Sequence, residues 1–140
     1  MTDFESELEN CGYVVFTNKG VSMMPLLRQD KDVMVIRAKH DGFKKNDAVL
    51  FRRENGQYIL HRIRRVMGEE YFIIGDNCTS GEIVKREMIL GILESVKRSG
   101  KEKKLSGAGY GLYVHTLGIR RFLLKIKNML VKEQKKFFLI

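Results

Sequence analysis

Three polar side chains in this chain could cooperate in acyl transfer. Ser22 stands in Gly20-Val21-Ser22-Met23-Met24-Pro25-Leu26-Leu27, between a glycine and a proline and against large apolar residues. His61 stands in Tyr58-Ile59-Leu60-His61-Arg62-Ile63, and Asp76 in Gly75-Asp76-Asn77. A serine hydroxyl is a weak nucleophile near neutral pH and needs a base within hydrogen-bond reach to take its proton during attack. Imidazole, with an unperturbed pKa of about 6.5, is such a base. A carboxylate on the far ring nitrogen would fix the tautomer and stabilise the imidazolium. Each residue alone has an ordinary reading, as a turn serine, a half-buried histidine and a turn aspartate. The chemical signal lies in the three together, in this order and in these contexts.

The elements that must position them read as β structure. A short helix is expected over Phe4 to Cys11, capped by Thr2 or Asp3, with Glu5 and Glu7 suiting its dipole. Strands are expected over Tyr13–Thr17, Asp32–Ala38, Ala48–Arg53, Tyr58–Met67, Tyr71–Ile74 and Glu87–Val96. His40-Asp41-Gly42, Asn55-Gly56 and Gly68-Glu69 supply the turns, and Gly91 a bulge or a close approach. Met23 to Leu27 is either one helical turn or an extended apolar lip, with Pro25, the only proline, fixing the backbone near the serine. In Tyr58–Met67, His61 shares a face with Ile59 and Ile63. One hairpin turn then brings Asp76 beside it.

Length and charge set the outer limits. The chain has 140 residues and 44% apolar residues, enough for one domain with a modest core. The net charge of +9 is concentrated at one end. From Lys97 onward there are 12 Lys and Arg against Glu102 and Glu133, so the first 96 residues are close to neutral. Any anionic partner therefore belongs to the last third. Residues 98–109, charged and then glycine-rich, read as a turn or linker. From Tyr110 onward, Leu117, Phe122 or Leu123, Leu124, Ile126, Met129 and Leu130 recur at helical spacing among lysines and arginines. This pattern predicts a basic amphipathic helix over 110–140, ending in Phe137-Phe138-Leu139-Ile140. Cys11 and Cys78 read as free thiols, and Cys78 as a buried thiol rather than a second nucleophile. His40, His61 and His115 have no partners at zinc spacing, so no metal and no cofactor are expected. The acidic start has no apolar signal-peptide core, and no stretch is apolar enough for a conventional membrane span.

With Gly20-x-Ser22-Met23-x-Pro25, Leu60-His61-Arg62-Ile63 and Gly75-Asp76-Asn77, the chain resembles the signal peptidase I family in its histidine-containing, endoplasmic-reticulum and archaeal branch. The resemblance runs from about Val14 to Leu93. It implies a mainly β fold of the signal peptidase/LexA-like type over residues 1–97, with the short N-terminal helix and the basic C-terminal helix outside the resemblance. It implies Ser22 as nucleophile, His61 where the bacterial branch has a lysine base, and Asp76 as the acid. Glu82 falls at the position of a second acidic residue of that branch. Gly20, Met23, Met24 and Pro25 are then candidates for substrate and oxyanion contacts. Asn46 replaces a turn glycine of the family, a position where asparagine tolerates a left-handed backbone. Family members often have a hydroxyl at the position of Gly20. Without it only backbone N–H donors remain, chiefly that of Ser22, and a lost donor typically costs about 10²–10³ in rate. The family's usual membrane anchor near the serine is also absent.

The expectation is a serine endopeptidase that removes a leader or signal segment from a precursor, with small residues before the cut. The alternative is a catalytically weak or inactive peptide-binding or scaffold module on the same fold. A self-cleaving repressor protease of the LexA type shares the fold, but it uses a lysine base and carries a DNA-binding domain. The basic helix is expected to lie on an anionic membrane surface, with a cytoplasmic-face peripheral location favoured over a soluble cytoplasmic one. No nucleic-acid partner is expected, and the sequence does not fix the oligomeric state.

Overall fold

The computed structural model describes residues 3–103 and 105–139, with Asp3 and 134–139 described by backbone alone. Thr2, one of the two expected caps, and Ile140, the end of the apolar tail, lie outside these residues. Asp3 is the first residue of helix α1 (Asp3–Cys11). The strands are β1 (Tyr13–Thr17), β2 (Val33–Ala38), β3 (Ala48–Arg52), β4 (Tyr58–Met67), β5 (Glu70–Ile74), β6 (Glu82–Lys85), β7 (Ile89–Arg98) and β8 (Lys101–Lys103). A 3₁₀ turn at Arg86–Met88 separates β6 from β7, and helices α2 (Gly107–His115) and α3 (Leu117–Leu139) close the chain.

The strands form one antiparallel sheet of order β1-β2-β7-β3-β4-β5-β6, with β8 paired to β7. The two 10-residue strands do the bending. β4 pairs with β3 through Tyr58–Arg62 and with β5 through Arg62–Met67. β7 pairs with β3 through Ile89–Ile92 and with β2 through Gly91–Lys97. Each half of a bent strand thus serves a different neighbour, and the sheet coils around two cores. β3 is buried on both faces. Ala48 and Leu50 join Val14, Met34, Ile36, Leu93 and Val96 in one core, and Val49 and Phe51 join Ile63, Ile73, Val84 and Ile89 in the other.

Turn chemistry behaves as the residue types require. Gly42, Gly56 and Gly68 take positive φ, and Asn46 takes φ 79°, the left-handed backbone for which asparagine suits a glycine position. Three features depart from expectation. Glu82–Lys85 is an additional strand, which delays the start of β7 to Ile89. Residues 98–109 hold a further strand as well as a turn, since Ser99 and Gly100, both at positive φ, turn β7 back into β8. The C-terminal helix is two helices, split at Thr116. Among the described residues, no helix is long and apolar enough to cross a membrane.

Gly91 is the close approach its type suggested. A Cβ there would lie 2.5 Å from the backbone oxygen of Arg37 and 2.9 Å from Ile36 Cγ2. Backbone cannot yield as a side-chain tip can, so Gly91→Ala must open the β2–β7 pair. The expected loss is about 1–3 kcal/mol of unfolding free energy, read from urea denaturation. An unchanged midpoint would show that the strands separate freely here.

Candidate active site

Ser22 lies in the loop between β1 and β2, and that loop is tied at its base. The buried Asn18 donates its backbone N–H to the Asp32 carbonyl at 2.9 Å and its side-chain amide to the Gly20 carbonyl at 2.8 Å. Asp32, fully buried, accepts the Arg28 backbone N–H at 2.8 Å and a fork from Arg98 at 3.0 and 2.7 Å. The Arg98 hydrogen bonds hold the Asp32 carboxyl below its ordinary pKa against the opposing effect of burial. Within the loop, the Leu27 N–H donates to the Met23 carbonyl at 3.0 Å, which makes one helical turn. Met23, Leu26 and Leu27 point into the core. The apolar lip is therefore an anchor.

The Ser22 turn is laced to the turn that follows β5. The Asn77 backbone N–H donates to the Ser22 carbonyl at 2.8 Å, and the Asn77 side-chain amide to the Val21 carbonyl at 3.1 Å. The Asp76 N–H donates to Met23 Sδ at 3.4 Å, and the Cys78 thiol contacts the Ser22 carbonyl at 3.9 Å. Gly75 makes the approach possible. A Cβ on it would lie 2.7 Å from the Ser22 carbonyl oxygen, 2.7 Å from Cys78 Sγ and 3.0 Å from His61 Nε2. The serine turn and the imidazole thus meet across a residue that must lack a side chain. Burial pushes the Cys78 thiol pKa up, which argues against a thiolate nucleophile. Cys11 and Cys78 are both free.

His61 and Arg62 are neighbours in β4 and point to opposite faces. His61 is 8% exposed and lies edge-on to Phe51, with ring centroids 6.3 Å apart. Burial lowers its pKa below the ordinary 6.5, opposed most by the charge of Glu82 and less by that of Asp76. Glu82 is itself gripped by Arg53 at 2.6 to 3.2 Å. A dry, neutral imidazole is ready to accept a proton near pH 7.

Asp76 has partners other than the expected one. Its carboxylate is fully buried and accepts a fork from Arg62, Nε to Oδ1 at 2.9 Å and Nη2 to Oδ2 at 3.0 Å. The Tyr113 hydroxyl donates to Oδ2 at 2.7 Å. Among the described residues, no hydrogen bond joins Asp76 to the His61 ring. The expected carboxylate–imidazole bond is not made, because strand alternation sends Arg62, and the carboxylate it binds, to the other side of β4.

The C-terminal helices complete this arrangement, and sequence reasoning missed their part. Arg62 Nη1 donates to the Tyr110 hydroxyl at 2.7 Å and to the Asn46 carbonyl at 2.8 Å. Arg62 also lies over both tyrosine rings. Arg121 donates to the carbonyls of Cys78 at 3.1 Å and Gly75 at 3.4 Å. Tyr110 and Tyr113, three residues apart on α2, form a polar-tipped aromatic face. That spacing was the available signal in the sequence, set among basic residues that dominate the pattern of the segment.

Ser22 and Gly20 line a groove of about 640 Å³. Its walls are mostly apolar, from Phe16, Met34, Leu50, Tyr58 and Leu60, with Phe4 of α1 at its margin. Among the described residues β1 is an edge strand of the sheet, and its Phe16 and Thr17 border the groove, while Tyr58–Leu60 of β4 pair with β3. Met23 is buried and does not line it. Met24 and Pro25 are exposed but also lie outside its lining, so of the four residues expected at substrate only Gly20 does so.

No protein-family model matches the chain, and a search of curated proteins finds no match.

Two measurements test this geometry. Tyr113→Phe removes a hydrogen bond to a buried carboxylate and should cost about 1.5–3 kcal/mol of stability; a neutral result in urea denaturation would break the link from α2 to the Asp76 turn. The His61 ring should titrate below 6.5 in the folded protein, followed by its NMR ring-proton shifts. Because burial depresses this pKa, the stability held by the neutral ring is complete above the unfolded value. It declines as pH falls from there through the folded value. A His61→Gln protein should lose that part of the acid dependence.

Proposed function

We propose that this chain is a serine endopeptidase that cuts a leader or signal segment from a precursor peptide or protein. The observation that carries the reading is the meeting of the Ser22 turn and His61 Nε2 over Gly75, beside an apolar groove bordered by the edge strand β1. An extended segment laid in that groove would pair with the outer edge of β1 and seat alternate side chains on the apolar walls. The resemblance to signal peptidases adds an expectation of small residues just before the cut.

Ser22 Oγ attacks the scissile carbonyl carbon while its proton passes to His61. The tetrahedral oxyanion is met by backbone N–H donors, chiefly that of Ser22. The C–N bond then breaks and His61 returns the proton to the leaving amine, which leaves an acyl ester on Ser22. Water, deprotonated by His61, attacks the ester carbonyl; the carboxyl product leaves and Ser22 regains its proton. Asp76 acts as a positioning residue, holding the turn that meets Ser22. Glu82 is the carboxylate whose charge most favours the imidazolium that forms during attack.

A module that binds such a segment without turnover is favoured by one feature, the lack of a side-chain donor at Gly20. A serine-reactive acylating probe separates the readings. Wild type should be labelled, and Ser22→Ala and His61→Ala should not; a folded wild type unlabelled between about pH 6 and 9 would assign the groove to binding alone. A Cβ at Gly20 meets nothing within 4 Å, so a hydroxyl fits there. Gly20→Ser should raise the acylation rate by about 10²-fold, the usual worth of one oxyanion donor. A variant no faster than wild type would place the oxyanion elsewhere.

A further inference from the structure

Helix α3 has two opposite faces with different duties. On the inner side Leu117 is buried, Leu124 is half-buried, and Arg121 holds the carbonyls of the Gly75–Cys78 turn. On the outer side Ile119, Phe122, Leu123, Met129 and Leu130 are 64, 62, 58, 57 and 57% exposed. With Ile126 between them, these residues recur at i, i+3, i+4, i+7, i+10 and i+11. At about 3.6 residues per turn this is a single stripe, about half a turn away from Leu117, Arg121 and Leu124. A contiguous stripe of large apolar side chains, all but the half-buried Ile126 more than half exposed, marks a surface that is covered in use. Lys125 and Lys132 flank it on one side and Lys127 on the other, all exposed.

The charge decides what covers it. The segment from Lys97 onward carries 12 basic residues against two acidic ones, so a second copy would bring like charge against like. An anionic lipid surface reverses that sign. Lysine stems can lie along the apolar stripe while their ammonium groups reach the headgroups. We propose that the outer face of α3 docks on an anionic membrane surface, with the stripe at the acyl boundary and the lysines among the headgroups. Because the inner face of the same helix grips the turn that carries Asp76, docking would hold the Ser22 groove at a set distance from the lipid. Docking itself does not depend on peptidase activity.

The test is vesicle flotation of the full chain. Wild type should float with phosphatidylcholine vesicles containing phosphatidylserine, not with phosphatidylcholine alone, and added salt should weaken it. Phe122→Ser/Leu130→Ser should lower the partition coefficient about tenfold or more while leaving the thermal unfolding curve in place, since both side chains are exposed. Lys125→Glu/Lys132→Glu should lower binding to the anionic vesicles by more than about tenfold. Ser22→Ala should float as wild type does, which keeps this result separate from that of the acylation probe. The proposal is overturned if folded wild type stays with the unbound fraction, or if the Phe122→Ser/Leu130→Ser protein floats equally well. It is also overturned if sedimentation shows a dimer that this double substitution dissolves, which would give the stripe to a second copy.

Discussion

The ion pair between Arg62 and Asp76 is the interaction on which the rest of the site depends. Both side chains are fully buried, and two charges out of water are tolerable only when nearly every lone pair and proton is used. Here they are. Arg62 forks onto both carboxylate oxygens and gives both Nη1 hydrogens to the Asn46 carbonyl and the Tyr110 hydroxyl, so four of its five N–H groups are bonded. Burial alone would lower the arginine pKa, but the Asp76 bonds and charge, aided by Tyr110, raise it instead. The buried Tyr113 hydroxyl is likewise held protonated, by burial first and by the Asp76 charge beside it. One pair thereby fastens β4, the turn before β3, the turn after β5 and helix α2.

That fastening sets the placement of His61 and the Ser22 turn through strand alternation. With Arg62 committed to one face of β4, His61 must face the other way, into the space above Gly75. The Asp76 turn, held by Arg62, Tyr113 and Arg121, presents Asn77 to the Ser22 carbonyl and the Asp76 N–H to Met23. Neither the serine turn nor the imidazole is aimed by the other. Both are aimed by the same buried pair, from opposite directions. An imidazole with no carboxylate hydrogen-bonded to it loses one support for its charged form, so its dry surroundings and the more distant charges of Glu82 and Asp76 set its basicity.

Much of this was legible in the sequence, and the failures have physical causes. Period-two alternation and turn residues found six strands closely, because those strands bury apolar faces between turns whose φ demands only a few residue types can meet. β6 and β8 were missed because Glu82-Ile83-Val84-Lys85 and Lys101-Glu102-Lys103 are short and polar, and pairing with β5 and β7 decides their state. Ser99-Gly100 was a readable hairpin signal masked by the charges around it. At the site, the residue types singled out Ser22, His61 and Asp76, and the fold brings the turns of Ser22 and Asp76 together beside His61, with Gly75 as the close contact. They misassigned the bonding of Asp76, because a three-residue chemical pattern does not reveal an arginine next door on the other face. Met23 reads as a lip in a list of apolar residues, and only its burial beneath Asp76 shows it to be an anchor.

The C-terminal helices change meaning once their inner contacts are seen. As sequence they are a basic appendage, separable from the body at a glycine-rich joint. In the fold, Tyr110 and Tyr113 supply two of the hydrogen bonds of the buried pair, and Arg121 holds two carbonyls of the turn that meets Ser22. Deleting the helices would leave a buried carboxylate with one partner fewer and an arginine proton unpaired, so loss of activity in a shortened chain would say nothing about what the outer face touches. Substitutions confined to that outer face avoid the difficulty, because Phe122 and Leu130 point away from every group that holds Asp76. The same geometry gives the two faces a common mechanical frame. The inner side of α3 is tied by Arg121 to the Gly75–Cys78 turn, so the outer stripe and the turn that meets Ser22 belong to one connected piece of the fold.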